Sequence, residues 1–224
     1  GATSLGLANQ GETVIAWNRD TGEPLAPAIV WQDQRTASAI GRLASDGVAA
    51  EVAARSGLPL DCYFSASKLR WLLDNAPGAQ KLAARGRLGL GTSDSYFIER
   101  LTGRYATDPT TASRTSLMNL AGCTWDEQLG EIFGVPVELL PEIVDDRQPV
   151  GELRTDAGTA TLHAGAVDQV AALYGHGCRT IGSGKVTIGT GAFALIVASE
   201  GPPQSMPTGS VPSAAWLSRN SRVY

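Results

Sequence analysis

The stretch AGAVDQVAALYGHG, residues 164–177, carries one acid, Asp168, among small and apolar residues. An acid at the start of a helical run has two readings. It caps free backbone N–H groups, a purely structural role. Alternatively, the helix end keeps it ionised, the small residues before it let a ligand approach, and it accepts or orients the proton of a hydroxyl. Spacing alone leaves both open.

Three other stretches have types suited to chemistry. GTGAFA, Gly189–Ala194, partly matches the dinucleotide fingerprint. That pattern needs a helix after the glycines, whereas the β-type run LIVAS follows, so a hairpin turn is expected, whose N–H groups could face phosphates. A nicotinamide dehydrogenase would rest on this stretch alone. GSGK, Gly182–Lys185, fails as a phosphate loop, because Arg179 replaces its first Gly and Val186 its Ser or Thr. NQGE, Asn9–Glu12, is a simple turn, or else it offers Glu12 as an acceptor for ligand hydroxyls. In VWQDQR, Trp31 beside amides and charges would suit a sugar or polyol, but a buried Trp followed by a helix cap is the preferred reading of the residues alone.

Strands and helices alternate around these residues. Residues 4–33 read as two or three strands, one of them AIVW, with RDTG as a turn. An Ala-rich helix is expected from Thr36 to Arg55, stopped by Gly57-Leu58-Pro59, and a second over Ser65–Asn75 with Leu69, Leu72 and Leu73 on one face. RLGLGTSDSYFIERLTGR reads as a strand, then a helix capped by Thr92 or Ser93. Its apolar face would be Tyr96, Phe97 and Leu101, and Gly103 its stop. GKVTIGTGAFALIVASEG reads as a hairpin. The alternation argues for an α/β protein.

The 224 residues are 43% hydrophobic, enough for a real core, with a formal net charge of -4. No run of Lys or Arg points to nucleic acid, and the longest apolar runs are too short to span a bilayer. Three scattered cysteines, Cys62, Cys123 and Cys178, fit reduced thiols in a cytoplasmic protein. Only two histidines make a His-rich metal site improbable. Both ends read as cut through strands.

Six segments in order resemble the FGGY carbohydrate kinases, and within them the glycerol kinases, over nearly the whole chain. They are NQGETVIAWNRDTGEPLAPAIVWQDQRTA, GLPLDCYFSASKLRWLLDN, GTSDSYFIERLTG, TDPTTASRTSLMN, GAVDQVAALYGHG and TIGTGAFALI. The resemblance implies a ribonuclease-H-like, actin-like ATPase fold, a mixed sheet flanked by helices. It implies a fragment of a two-domain kinase: residues 1–178 as most of the N-terminal domain without its first hairpins and phosphate loop, and 179–224 as the start of the C-terminal domain. ATP and Mg²⁺ would be required, and the acceptor would be a hydroxyl of a small polyol or sugar, glycerol or a related carbohydrate. A homo-oligomer, dimer or tetramer, is the expected assembly.

The family's catalytic base matches Asp168, and Gln169 beside it matches a substrate contact. Glu12 matches the substrate-binding acid, Trp31 and Tyr63 the lining of the polyol pocket, and Phe193 another apolar wall. Thr190, between Gly189 and Gly191, matches a nucleotide-phosphate contact. One position departs: Gly11 stands where glycerol kinases carry an Arg that would contact substrate. Losing that fork of donors leaves hydroxyls unpartnered or makes room for a bulkier acceptor. The alternatives are therefore a kinase of a four- or five-carbon polyol or sugar such as erythritol or a pentulose, or a non-catalytic sugar-binding homologue.

Overall fold

A computed structural model describes residues 2–144, 148–156, 158–163, 165–189, 191–218 and 221–224. The chain opens with three short strands, β1 (Ser4–Leu5), β2 (Ala8–Asn9) and β3 (Val14–Asn18). The expected AIVW strand does not form: only Ile29 pairs, as an isolated bridge to Val14. Two prolines, Pro24 and Pro27, precede it and withhold the N–H groups a longer ladder needs.

Four helices follow, α1 (Ala37–Ser45), α2 (Ala49–Ser56), α3 (Ser65–Asn75) and α4 (Ala79–Ala83). The single helix expected over 36–55 is two, broken at 46–48 around Gly47. The α3 span is as the apolar spacing indicates, with Leu69, Leu72 and Leu73 buried. Then come β4 (Leu88–Thr92) and α5 (Ser93–Thr102), with Thr92 as N-cap residue and Gly103 as C-cap.

The expected apolar face of α5 is corrected. Phe97 and Leu101 are 46% and 40% exposed, while Ile98 is buried. Asp94 and Ser95 go inside with Ile98, because Thr107 Oγ1 donates to Asp94 Oδ2 at 2.6 Å. A hydrogen-bonded carboxyl therefore takes an inner position that a hydrophobicity count assigns to Phe97.

The remaining elements are β5 (Ala106–Thr107), α6 (Pro109–Ala112), β6 (Met118–Asn119), β7 (Thr124–Trp125), α7 (Glu127–Phe133) and β8 (Glu142–Ile143). After them run β9 (Pro149–Thr155), β10 (Gly158–His163), β11 (Ala166–Val167) and α8 (Asp168–Gly175). The chain closes with β12 (Gly184–Ile188), β13 (Ala192–Ile196), β14 (Leu217–Ser218) and β15 (Ser221–Arg222).

The pairing is mixed. β1 runs parallel to β10 and β2 parallel to β11, whereas β9–β10, β3–β4 and β12–β13 are antiparallel. The main core lies under β3 and β4, where Val14, Ala16, Leu88 and Leu90 meet Leu69, Leu72, Leu117, Leu129 and Phe133. On the other face, Trp17 is wholly buried and pairs across the ladder with Gly89. A Cβ at position 89 would sit 2.1 Å from the Trp17 ring, so only glycine fits there. The indole N–H donates to Glu99 Oε2 at 2.6 Å. A second cluster joins β11 and α8 to the residues after β13: Val167, Val170 and Leu173 pack with Val197, Ala215 and Val223. No described helix is long and apolar enough to cross a membrane.

Candidate active site

Two strand ends bring the candidate acids together. β2 and β11 lie side by side with Asn9 opposite Val167. From β11 the chain turns directly into α8, with Val167 as N-cap residue and Asp168 as first helical residue. Asp168 is thus one place inside the cap, and among the described residues its exposed side chain takes the adjacent Gln169 N–H, 2.7 Å from Oδ1. Asp168 does serve the helix start, taking one first-turn amide, and the rest of its carboxylate faces solvent.

From β2 the chain passes through Gly11 to Glu12, which has φ 56 and is 5% exposed. A left-handed conformation at a non-glycine residue costs energy of order 1–2 kcal/mol and concentrates at functional sites. Burial raises the Glu12 carboxyl above its ordinary value, while Arg114 pulls the other way. Arg114 Nε donates to Glu12 Oε1 at 2.8 Å, and its Nη1 donates to Ser213 Oγ at 2.8 Å. The Glu12 and Asp168 charges are close enough to feel each other.

Gly11 packs closely against the strand that carries Val167. A Cβ there would lie 2.8 Å from Val167 Cγ2. The residue preceding Asp168 therefore occupies the space a side chain at 11 would need. The guanidinium beside Glu12 comes instead from position 114, on the segment after α6.

An aromatic wall stands next to these acids. The Trp31 ring centroid lies 5.6 Å from that of Tyr63 and 6.3 Å from that of Phe193. Tyr63 is pushed up to about 12, by burial first and then by the Glu12 charge, so it is a neutral donor at ordinary pH. Lys68, wholly buried on α3, donates from Nζ to the Tyr63 carbonyl at 2.8 Å. Burial lowers its ammonium to about 8. Gln169 is held from the hairpin, where Lys185 Nζ donates to its Oε1 at 2.8 Å and to Thr187 Oγ1 at 2.6 Å.

The glycine-rich turn joins β12 to β13, with the Gly189 N–H donating to Gly191 O at 2.9 Å. A strand, β13, follows Gly191, which removes the dinucleotide-fingerprint reading. Thr190 lies outside the described residues. Glu12, Tyr63 and Asp168 thus form one electrostatic neighbourhood, Trp31 and Phe193 its apolar border, and Gln169 the next residue along α8. Neither Lys68 nor Arg114 belongs to a stretch that suggests chemistry by itself. The one signal for Lys68 is a lysine at i−4 from Leu72, on the inner face of an amphipathic helix. Among the described residues, no group of three or more His, Cys, Asp or Glu could hold a metal ion.

Residues 2–175 match the family model for the FGGY family of carbohydrate kinases, N-terminal domain. A glycerol kinase of Thermus brockianus is 48% identical over 203 residues, covering 89% of this chain and 41% of the relative. A glycerol kinase of Burkholderia multivorans is 42% identical over 217 residues, covering 95% and 43%. Among solved structures, Plasmodium falciparum glycerol kinase with ADP superposes with a TM-score of 0.87 at 29% identity, covering 99% of this chain and 45% of that one. The chain spans less than half the length of these relatives, and its fold is their actin-like ATPase fold.

Proposed function

The chain belongs to the FGGY family of carbohydrate kinases, and we propose that it carries the acceptor side of an ATP-dependent kinase acting on a small polyol or sugar, glycerol or a related carbohydrate. The observation that carries this reading is the convergence of Asp168, Glu12 and Tyr63 beside the Trp31–Phe193 wall. Charged and hydroxyl-bearing groups next to aromatic faces suit a molecule with a polar edge and a carbon face. The likeness to glycerol kinases supports the same acceptor class.

In this reading the acceptor hydroxyl lies against Asp168. Its oxygen attacks the γ-phosphorus as its proton passes to, or is oriented by, the Asp168 carboxylate. The bond to the bridging oxygen breaks and ADP leaves. Such transfer asks mainly for positioning and charge stabilisation. Glu12, Tyr63 and Gln169 hold the other hydroxyls, and Trp31 and Phe193 face the carbon skeleton. The Gly189–Gly191 turn, with Thr190 at its centre, is the segment that meets the nucleotide phosphates in this reading, the Gly189 N–H being held by Gly191 O. Mg²⁺, brought with ATP, would be held by the nucleotide phosphates and one or two carboxylates rather than by a protein cage, of which the described residues form none.

We assign residues 1–178 to the N-terminal domain and 179–224 to the start of a second. The working enzyme is the complete two-domain protein, homo-oligomeric and cytoplasmic, with the reaction in the cleft between its domains. A four- or five-carbon acceptor is the second reading, favoured by the absent side-chain donor at Gly11. ADP release by the full-length protein with glycerol, erythritol, xylitol, ribulose and xylulose separates the two. Release with none of them would refute the kinase reading.

A further inference from the structure

The buried acid Asp108 has no part in the reaction above, yet its contacts lead to both strand ends that bear Glu12 and Asp168. It is 1% exposed and caps α6. Its Oδ1 accepts the N–H groups of Thr110 and Thr111, at 2.7 and 3.1 Å, and the Thr110 hydroxyl. Its Oδ2 accepts the Thr111 hydroxyl at 2.8 Å. Four donors on one buried carboxylate are more than a helix of four residues needs for its cap.

The two threonines carry the contact onward. With its own proton committed to Asp108, the Thr110 oxygen accepts the Val167 N–H at 2.8 Å. Val167 immediately precedes Asp168. The Thr111 hydroxyl has one proton for two acceptors, Asp108 Oδ2 at 2.8 Å and Asn9 Oδ1 at 3.1 Å, the latter on the strand that leads through Gly11 to Glu12. Asn9 and Val167 are register partners. A hydroxyl has one proton, so ionised Asp108 fixes which way the Thr110 hydroxyl points.

Asp108 has a second buried acid close by. The Asp108 carboxyl is pushed up to about 7 by burial and by nearby Asp94. Asp94 is itself raised by burial, and its Oδ1 has no hydrogen-bond partner among the described residues. An unpartnered oxygen is tolerated on a neutral acid far better than on a carboxylate. The four donors favour the charge on Asp108 over Asp94, while burial works against it on both.

We propose that Asp108 is a positioning residue which, through the Thr110 hydroxyl, holds the end of β11 and so sets Asp168 against Glu12. This rests on the kinase reading of Asp168. Its test is Thr110→Val and Thr110→Ser in the full-length protein, beside wild type and Asp168→Asn. Thr110→Val lacks the oxygen that accepts the Val167 N–H, and Thr110→Ser restores it. A displaced base costs about 10–100-fold in kcat. Thr110→Val should show that loss with the KM for ATP unchanged, and Thr110→Ser should recover to within about threefold of wild type. A merely structural role would lower the melting temperature and leave kcat per folded molecule alone. Hydrogen exchange at the Val167 amide should speed up in Thr110→Val and not in Thr110→Ser. The proposal is overturned if Thr110→Val keeps kcat within twofold of wild type, or if Thr110→Ser is equally impaired. If wild type transfers no phosphoryl group, or Asp168→Asn is unimpaired, the kinase reading is what fails. Unchanged exchange at Val167 in Thr110→Val would then still overturn the proposed hold on β11.

Discussion

Replacing Arg114 by Ala would leave Glu12 as a buried acid without its ion-pair partner. The two side chains are 14% and 6% exposed, with Nε 2.8 Å from Oε1. Removing one member of a buried pair costs about 3–5 kcal/mol, because the survivor keeps its desolvation penalty. Two features place this site near the lower figure: the Lys68 charge still favours ionised Glu12, and the carboxyl can take up a proton. The second feature makes the loss depend on pH. Glu12 already titrates above its ordinary value, and removing Arg114 raises it further. The folded state then binds more protons than the unfolded state between the two values, so stability falls as pH rises through that window. Urea denaturation of Arg114→Ala should therefore show a penalty of about 3 kcal/mol at pH 8 and a smaller one at pH 5. Adding Glu12→Gln should recover more than half of it at pH 8. A penalty under about 1 kcal/mol at pH 8, or an equal penalty at both pH values, would refute the argument.

Gly11→Ala would place a Cβ 2.8 Å from Val167 Cγ2. It should destabilise by about 1–3 kcal/mol in denaturant titration and lower kcat through the neighbouring Asp168. Gly11→Arg should likewise fail to improve glycerol turnover, and a gain in kcat/KM would show that position 11 has room to spare. Lys68 is lowered to about 8, so between that value and the ordinary lysine range the unfolded state binds more protons, and stability rises with pH. Lys68→Met should remove that rise between about pH 8 and 10 in thermal melts. Trp31→Ala should raise the acceptor KM with little change in the KM for ATP, measured by steady-state ADP release.

Apolar periodicity made much of this fold legible. The α3 span, the β4–α5 passage with Thr92 and Gly103 at its ends, and the β12–β13 hairpin follow from spacing and turn residues alone. What periodicity could not show was where polar groups go inside. Asp94 takes an inward place on α5 because Thr107, thirteen residues on, donates to it, and Phe97 is left outside. The break between α1 and α2 was missed because alanine supports the helix on both sides of Gly47. The site was legible only in part. Asp168, Glu12 and Trp31 stand out by type and context, Tyr63 and Phe193 only through the family resemblance, and the structure groups all five. Arg114 reaches Glu12 across 102 residues, and no local pattern records such a contact. Gly11 looked like a missing side chain, and its close neighbour is Val167, on a strand that only folding brings beside it.

The most direct test is initial-rate ADP release by the full-length protein with and without polyol, for wild type and Asp168→Asn. Asp168 as base predicts acceptor-dependent release in wild type and a kcat lower by about 10²–10⁴-fold in Asp168→Asn, with the KM for ATP little changed. Acceptor-dependent release that survives in Asp168→Asn at near wild-type rates would contradict it.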